Sequence, residues 1–558
     1  MTKKTKSVYG TIGPRAHVPE QMKPIPGREA DMVENNAGGY TFALDNFGRL
    51  NRFLILGSES GTYYVNARAL TKENAQVIRA CIAENWQRTL HDIKVVSLSG
   101  RAKSNDPALF ALAVMAASDN QEARLSALHS LGDVARTGTH LFSFLTFVLQ
   151  FRGWSRSLRT AVENWYHQSK TPYQVVKYRQ RAGWTHRDVL RLAHVRPTSN
   201  VENAMFQWIV KGATDRDDDL PAIIRAHIAA MHPDTSLGEL VHLIEFARMP
   251  WEALPTDALK HPEIWQAILR AGMPMTAMLR NLGRMTATGA LDAEYAQVVI
   301  DAFSDETKIR ASRIHPFAVL IALRTYQRGH GLRGNLTWTP VAKIIATLEN
   351  AFYLAFGNVE PTGKRILHAL DISGSMGWTI DSINMSVREA AAAMMLVSMR
   401  ADGETEFYGF SHELRQMHLP DGGLSKLIDN VSNLPFGATD ASLPFIYAKN
   451  KRLDYDAVIV YTDNEVWDGR HVDTVLEEYI QQVGHPVKLV VVGMSASEFT
   501  IGDPKNPDIL NVSGMDANVP GLVSDFIAGR LDISFIEQEK LLPASDEADA
   551  HEGDPEDA

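Results

Sequence analysis

The spacing of apolar residues changes near residue 362, and this change constrains the fold more than any other feature of the sequence. From about residue 70 to 355, apolar residues recur every three or four positions, as in DPALFALAVMAA at 106–117 and HPFAVLIALRTYQ at 315–327. This spacing is typical of amphipathic helices. The breaks are short and carry Gly, Pro, Asp or Thr. We therefore predict an all-α, HEAT-like array in which helices of about 10–15 residues stack as antiparallel pairs.

After residue 362 the apolar residues fall in short β-rich runs, namely RILHALDI (365–372), TEFYGF (405–410), DAVIVYTD (456–463) and VKLVVVG (487–493). Helical windows separate them, including MSVREAAAAMMLVSMR (385–400) and VDTVLEEYIQQV (472–483). Strands that alternate with helices indicate an α/β, doubly wound (Rossmann-like) domain with a mainly parallel sheet. We place the boundary between the two patterns at Val359–Lys364.

These patterns divide the 558 residues into four parts. We predict a basic N-terminal extension at 1–19, a helical domain at 20–362, an α/β domain at 363–540 and a disordered acidic tail at 541–558. Within the helical domain, NRFLILGSESGTYYVN (51–66) predicts two strands around a Gly-containing turn.

The two halves of the chain carry opposite net charge. Residues 1–362 contain 42 Lys+Arg and 33 Asp+Glu, so the totals of 56 and 66 leave 14 and 33 for residues 363–558. A positive first half suggests a polyanionic partner. The alternative explains the totals equally well: the charged side chains only keep two unrelated surfaces solvated. No apolar run is long enough for a membrane span, and the first residues lack the apolar core of a signal peptide. A single cysteine, Cys81, suits the reducing cytoplasm.

Oxygen-bearing side chains follow the ends of several predicted strands. In open α/β sheets, ligands bind where strands end at the carboxyl edge. Five such residues offer two carboxylates and three hydroxyls: Asp371, Ser373, Ser375, Thr439 and Asp463. Hard oxygen donors without a soft ligand favour a divalent cation, Mg²⁺ above all, over zinc or iron. The alternative is a sheet that has these residues and binds no metal.

The order D-x-S-x-S, then Thr, then Asp resembles the metal-ion-dependent adhesion site (MIDAS) of von Willebrand factor A domains. A hydrolytic site is a poorer match. A dehalogenase-like phosphatase would need Asp where Ser373 stands, and no G-x-S-x-G surrounds these serines. The motif also places no general base. We therefore expect a protein that is not an enzyme.

The most basic part of the chain is TPYQVVKYRQRAGWTHRDVLRLAHVRP at 171–197, with six Lys+Arg and one acid. Pro172 and Gly183 frame a first predicted helix, on which Lys177 and Arg181 share a face. Thr185 and Asp188 predict a capping box for a second helix. On that helix the cationic side chains fall on one face: Arg187, Arg191 and His194.

We interpret this face as a phosphate-binding surface, since dense like charge is destabilising until a polyanion neutralises it. A solvated face is the alternative. Residues 151–200, with ten basic and two acidic side chains, argue against ordinary mixing of charge. Aromatic residues nearby could stack on unpaired bases, although helical spacing more often places aromatics in a core: Trp154, Trp165, Tyr178 and Trp184. These patterns do not distinguish RNA from DNA.

Three segments resemble the TROVE domain of the Ro 60-kDa autoantigen family: GGYTFALDNFGRLNRFLILGSESGTYYV (38–65), VVKYRQRAGWTHRDVLRLAHVRP (175–197) and RIHPFAVLIALRTYQRGHGLRG (313–334). In that family a von Willebrand A domain follows the TROVE domain, which is the order of patterns in this chain. The resemblance extends from about residue 20 to residue 540 and leaves out the acidic tail.

The resemblance implies a ring of HEAT-like helical repeats closed by the A domain. It implies binding of Y-like small noncoding RNA, entry of single-stranded 3′ ends of misfolded RNA, and a role in noncoding RNA quality control, maturation or decay. Lys177, Arg181 and His194 match the family's RNA contacts. Bacterial members, which this chain resembles, act with an exoribonuclease, polynucleotide phosphorylase. The alternative function is a metal-dependent protein-binding scaffold that uses the A domain alone.

Overall fold

A computed structural model describes residues 18–58, 67–181, 183–331, 335–357, 359–380, 385–402, 405–417, 423–432 and 437–530. The predicted basic extension and the acidic tail therefore lie almost wholly outside the described residues. In the described part, a long helical region precedes an α/β region, as the change of periodicity predicts.

The helical region contains eighteen α-helices among its described residues. They are α1 Asn46–Leu56, α2 Ala67–Ser99, α3 Asp106–Ala116, α4 Gln121–His129, α5 Leu131–Val134, α6 Gly138–Phe151, α7 Arg156–Tyr166, α8 Thr171–Lys177, α9 His186–Ala193, α10 Asn200–Lys211, α11 Ala222–Ala230, α12 Leu237–Ala247, α13 Pro262–Arg270, α14 Met275–Ala287, α15 Ala293–Ser304, α16 Glu306–Ala311, α17 Pro316–Gln327 and α18 Ala342–Leu354. Two short antiparallel hairpins accompany them: β1 Met32–Glu34 with β2 Tyr40–Ala43 precedes α1, and β3 Gln180–Arg181 with β4 Trp184–Thr185 lies between α8 and α9.

The prediction of strands at 51–66 is wrong for residues 51–56, which belong to α1. Phe47, Leu50 and Leu54 are buried at helical spacing. The Asp45 side chain caps the helix by accepting a hydrogen bond from the Gly48 N–H at 2.7 Å. Gly57, with φ +72°, ends the helix. Residues 59–66 lie outside the described residues.

The α/β region contains the strands and helices that the sequence predicts, with further short elements. They are β5 Ile366–Asp371, β6 Thr379–Ile380, β7 Met385–Ser386, α19 Val387–Ala401, β8 Thr405–Phe410, β9 Leu414–Gln416, α20 Gly423–Ser432, α21 Leu443–Lys451, β10 Ala457–Thr462, α22 Val472–Val483, β11 Lys488–Gly493, β12 Phe499–Thr500, β13 Ile509–Ser513 and α23 Val519–Ala528.

The central sheet has the order β13-β11-β10-β5-β8-β9. All neighbouring strands are parallel except β9, which pairs antiparallel with β8 at the edge. Strand β5 lies between β10 and β8, and Leu370 is in register with Tyr461. The loops that follow β5 and β10 therefore leave the same carboxyl edge of the sheet side by side.

The helical region contacts the α/β region through both of its ends. At the start, β2 pairs antiparallel with β12, so that Ala43 is opposite Phe499. At the end, a carboxylate oxygen of Glu349 on α18 accepts a hydrogen bond from the Leu424 N–H on α20 at 2.8 Å. A continuous hydrophobic core joins the helices to one face of the sheet, and a second cluster lies under α21 and α22 on the other face. The helical array thus begins and ends on the same α/β domain.

Candidate metal centre and basic surface

The five predicted metal ligands are buried at the carboxyl edge of the sheet. Asp371 ends β5, and Ser373 and Ser375 occupy the turn that follows it. Asp463 comes directly after β10, the neighbour of β5. Thr439 comes from the loop before α21, and its carbonyl oxygen accepts hydrogen bonds from the N–H groups of residues 467 and 468 at 3.3 and 3.1 Å. These bonds connect its loop to the segment after Asp463.

Hydrogen bonds join four of these side chains into one group. The Asp371 Oδ1 atom accepts a bond from the Ser373 N–H at 2.9 Å, and Asp371 Oδ2 accepts one from the Thr462 hydroxyl at 2.7 Å. The hydroxyl oxygens of Ser373 and Ser375 are 3.1 Å apart. Ser375 also donates to Asp463. The structure therefore brings four residues of the motif together, and the backbone of Thr439 connects its loop to the segment that follows Asp463.

Burial shifts both carboxylates of this group toward the protonated form. Burial, followed by the charge of Asp463, raises the pKa of Asp371 to about 7. Burial also raises the pKa of Asp463. The pKa of Arg388 on α19 is lowered by burial, which the nearby Asp371 opposes. Two buried carboxylates with three hydroxyls form an all-oxygen donor set that fits a hard divalent cation.

No group of three or more His, Cys, Asp or Glu side chains that could hold a metal occurs among the described residues. A cation at this edge would therefore depend on neutral hydroxyl groups and water for most of its ligands. Low ligand charge leaves a bound Mg²⁺ able to accept a further oxygen ligand.

The sequence did not predict a contact between this edge and the N-terminal segment. Asn36 Nδ2 donates to Glu465 Oε1 at 2.7 Å, and the Ala37 N–H donates to Glu465 Oε2 at 3.2 Å. Asn35 Nδ2 donates to the Val466 carbonyl oxygen at 2.7 Å. Burial raises the pKa of Glu465 to about 8. A carboxylate two residues after Asp463 is visible in the sequence, but its partner more than 400 residues away is not.

The basic segment forms two short helices joined by a hairpin. The prediction that Lys177 and Arg181 share a helix face is wrong, because α8 ends at Lys177 and Arg181 lies in β3. Gly183, with φ +80°, makes the turn that returns the chain, so that Arg181 pairs with Trp184. The capping box on α9 is confirmed. The Thr185 hydroxyl accepts from the Asp188 N–H, and Asp188 Oδ2 accepts from the Thr185 N–H at 3.0 Å.

Four of the five predicted RNA contacts are exposed on this surface: Arg181, Arg187, Arg191 and His194. No carboxylate of the described residues lies within ion-pair distance of these arginines. Lys177 is half-buried, and its Nζ atom is 5.4 and 5.2 Å from the ring centroids of Tyr173 and Tyr178. Burial acts to lower the pKa of Lys177, but Tyr178, Tyr173 and Glu252 outweigh this effect, and the pKa is raised. Lys177 therefore keeps its charge.

One aromatic residue proposed for base stacking belongs to the core. Trp165 is 1% exposed, and its Nε1 atom donates to the Ala135 carbonyl oxygen at 2.6 Å. Trp154 and Trp184 are half-buried and pack against the same core. The surface of this segment thus offers cations more than aromatic faces. No helix of the described part is both long and apolar enough to span a bilayer.

Both the helical region and the α/β region are similar to known protein families. A family model described as the TROVE domain matches residues 33–219 and 247–325, and one described as the Ro60 vWA domain matches residues 365–527. The RNA-binding protein RO60 of Deinococcus radiodurans is 36% identical over 89% of this chain and 96% of that protein. The RNA-binding protein RO60 of Caenorhabditis elegans is 31% identical over 93% of each.

The crystal structure of the Deinococcus radiodurans RO (RSR) protein matches the fold with a TM-score of 0.65 at 35% identity, covering 87% of this chain and 100% of that one. The fold and the order of the two regions agree with the sequence prediction. Because the TROVE and vWA models match in this order, and the relatives align along most of both chains, this chain belongs to the Ro60 family.

Proposed function

We propose that this chain is a Ro-type RNA-binding protein that grips the sugar-phosphate backbone at the surface formed by α8, the β3–β4 hairpin and α9. One observation supports this most directly: three exposed arginines lie within one short segment and have no carboxylate partner among the described residues. A phosphate backbone would neutralise them and release its own counterions, which favours binding. The names of the relatives support RNA as the polyanion.

The RNA that we expect is Y-like small noncoding RNA together with misfolded RNA that has a single-stranded 3′ end. Backbone neutralisation holds structured RNA, and an unpaired end offers bases that a protein can read. The ring implied by the family resemblance fits the contacts of both ends of the helical array with the A domain. We infer a role in noncoding RNA quality control, maturation or decay in the cytoplasm, with an exoribonuclease such as polynucleotide phosphorylase as partner.

We propose that Asp371, Ser373, Ser375, Thr439 and Asp463 hold Mg²⁺. The bound cation would supply a Lewis-acidic position for a carboxylate or phosphate oxygen of a partner. The Ser373 N–H and the Thr462 hydroxyl donate to Asp371, and both carboxylates are buried. We propose that the bound cation docks partners and that the protein performs no chemical step there.

Sequencing of the nucleic acid that co-purifies with the protein tests the proposal most directly. We expect enrichment of structured small RNA and of RNA with unpaired 3′ ends. Purified protein that binds neither kind of RNA in low-salt buffer would refute the proposal.

A protein-binding scaffold is the second candidate function. The cluster of buried carboxylates and hydroxyls at the carboxyl edge of the sheet favours it. Capture of a purified exoribonuclease that depends on Mg²⁺ and persists after RNase treatment would support the scaffold. Incubation of labelled RNA with the protein and Mg²⁺ tests catalysis. RNA cleavage that disappears in Asp371→Ala would refute the non-enzymatic assignment.

A further inference from the structure

A cavity of about 670 Å³ opens beside the basic surface. Arg179, Gln180 and Arg187 contribute polar side chains from the hairpin segment and α9. The opposite elements, α10, α11 and the residue that follows α11, contribute Trp208, Ile228 and Met231 among others. Its volume is in the range of cavities that hold small organic molecules.

The polar part of the cavity is held in place by a buried histidine. His227 is 4% exposed, and its Nδ1 atom is 2.8 Å from the Ala253 carbonyl oxygen, to which it donates. The Nε2 atom then accepts a hydrogen bond from Arg179 Nη1 at 3.3 Å. Burial lowers the pKa of His227, which keeps the ring neutral. One N–H of Arg179 is thus used for positioning, and the rest of its guanidinium is available to a ligand.

The apolar part of the cavity is exposed to solvent. Ile228 and Met231 are 43% and 49% exposed, although both are large apolar side chains, and the buried Trp208 lines the same cavity. Covering apolar surface of this kind with a flat ligand removes it from water, which lowers the free energy of the system. The residues that line the cavity include arginines and no carboxylate. The ligand that fits therefore has flat apolar faces and a negatively charged group next to them.

We propose that this cavity holds one unpaired base of a bound RNA, while the flanking phosphates lie on Arg187 and Arg181. The inference rests on the proposed RNA-binding function and adds a site to it. Arg187 lies in both the cavity wall and the basic surface, so a backbone on that surface passes the cavity mouth. A paired base cannot enter, because its faces and edges are occupied within the duplex. The cavity therefore selects RNA that has unpaired nucleotides.

The test uses the full chain and two RNAs, a blunt hairpin and the same hairpin with a single-stranded 3′ uridine tail. Met231→Glu adds charge and removes apolar surface in the cavity. We expect it to weaken binding of the tailed hairpin about tenfold and to change binding of the blunt hairpin less than about twofold. Val298→Glu is the control, since Val298 is an exposed apolar residue on α15 outside the cavity. Fluorescence anisotropy gives both dissociation constants.

Crosslinking of wild-type protein to 4-thiouridine in the tail gives a second measurement that does not depend on a folded variant. We expect crosslinks in the segments that line the cavity, around 208–209 and 227–231. Crosslinks that fall only elsewhere would overturn the proposal and leave the apolar wall as a contact for protein. Equal losses for the two RNAs, or no loss beyond that of Val298→Glu, would also overturn it. Wild-type protein that binds neither RNA would instead refute the proposed function.

Discussion

Replacing Asp371 by asparagine tests whether the buried carboxylate pair is an unfavourable charge that a cation offsets. Asp371 is fully buried, and Asp463 lies close enough to raise its pKa further. In protein without cation, the native state therefore holds a proton that the unfolded chain has released. Between about pH 4 and pH 7 the free energy of unfolding falls as pH rises, because the native state binds more protons than the unfolded state.

The size of this effect on the free energy of unfolding follows from the shift in the pKa of Asp371. A pKa of about 7 against the ordinary 3.8 corresponds to roughly 4 kcal/mol by pH 8, at about 1.4 kcal/mol per pH unit. Asparagine carries no charge but forms weaker hydrogen bonds with the Ser373 N–H and the Thr462 hydroxyl than a carboxylate does. We therefore expect Asp371→Asn to be about 2 kcal/mol more stable than wild type at pH 8 without Mg²⁺.

Hydrogen exchange of the β5 and β10 amide groups reports this local stability, measured at pH 5 and pH 8 in EDTA and in Mg²⁺. Millimolar Mg²⁺ should increase protection of wild type at pH 8 and have little effect on Asp371→Asn. Asp508→Asn is the matched control, since Asp508 is exposed in the same domain. If Asp371→Asn exchanges faster than wild type in EDTA at pH 8, the buried charge is not unfavourable. If Mg²⁺ protects both proteins equally, Asp371 is not a ligand.

Three further changes test the basic surface and the contact between the two regions. The double substitution of Lys177 and Arg181 by alanine should weaken RNA binding for all sequences and reduce the slope of log K against log salt by up to about two. Thr185→Ala removes the capping box of α9 and should lower the local stability measured by hydrogen exchange by about 1 kcal/mol. Arg101→Ala leaves the buried Asp516 carboxylate without its guanidinium partner at 2.6 Å, so we expect a loss of about 3 kcal/mol in urea denaturation.

Each of these changes has a matched control. Arg280→Ala with Lys343→Ala removes two exposed cations elsewhere, and an equal change of salt slope would contradict a specific surface. Thr347→Ala removes a hydroxyl that bonds only within its own exposed helix face, so a loss as large as that of Thr185→Ala would argue against capping. Lys94→Ala breaks a half-exposed pair with Asp133 and should cost less than about 1 kcal/mol.

The sequence predicted best those features that depend on near neighbours in the chain. The strand that ends at Asp371 is a mainly apolar run. The parallel sheet follows from the alternation of several such strands with helices. The capping box at Thr185 and Asp188 involves residues three apart, and the structure confirms it. The metal ligation of Asp371 and its companions and the RNA contacts of the basic surface remain predictions.

The errors also have local causes. Lys177 and Arg181 have helical spacing, but pairing of Arg181 with Trp184 across the Gly183 turn outweighs continuation of α8. For residues 51–56, β-rich composition suggested strands, whereas burial of one helical face against α2 and α3 decided for a helix.

The sequence by itself determined the change from helices to an α/β sheet and the chain order of the candidate metal ligands. Only the tertiary structure decided that Asn36 meets Glu465, that Arg179 is held by His227 above an apolar wall, and that both ends of the helical array contact one domain. The physical reason is range. Periodicity and caps depend on residues within one or two helical turns, while contacts between residues tens to hundreds of positions apart depend on how whole elements pack.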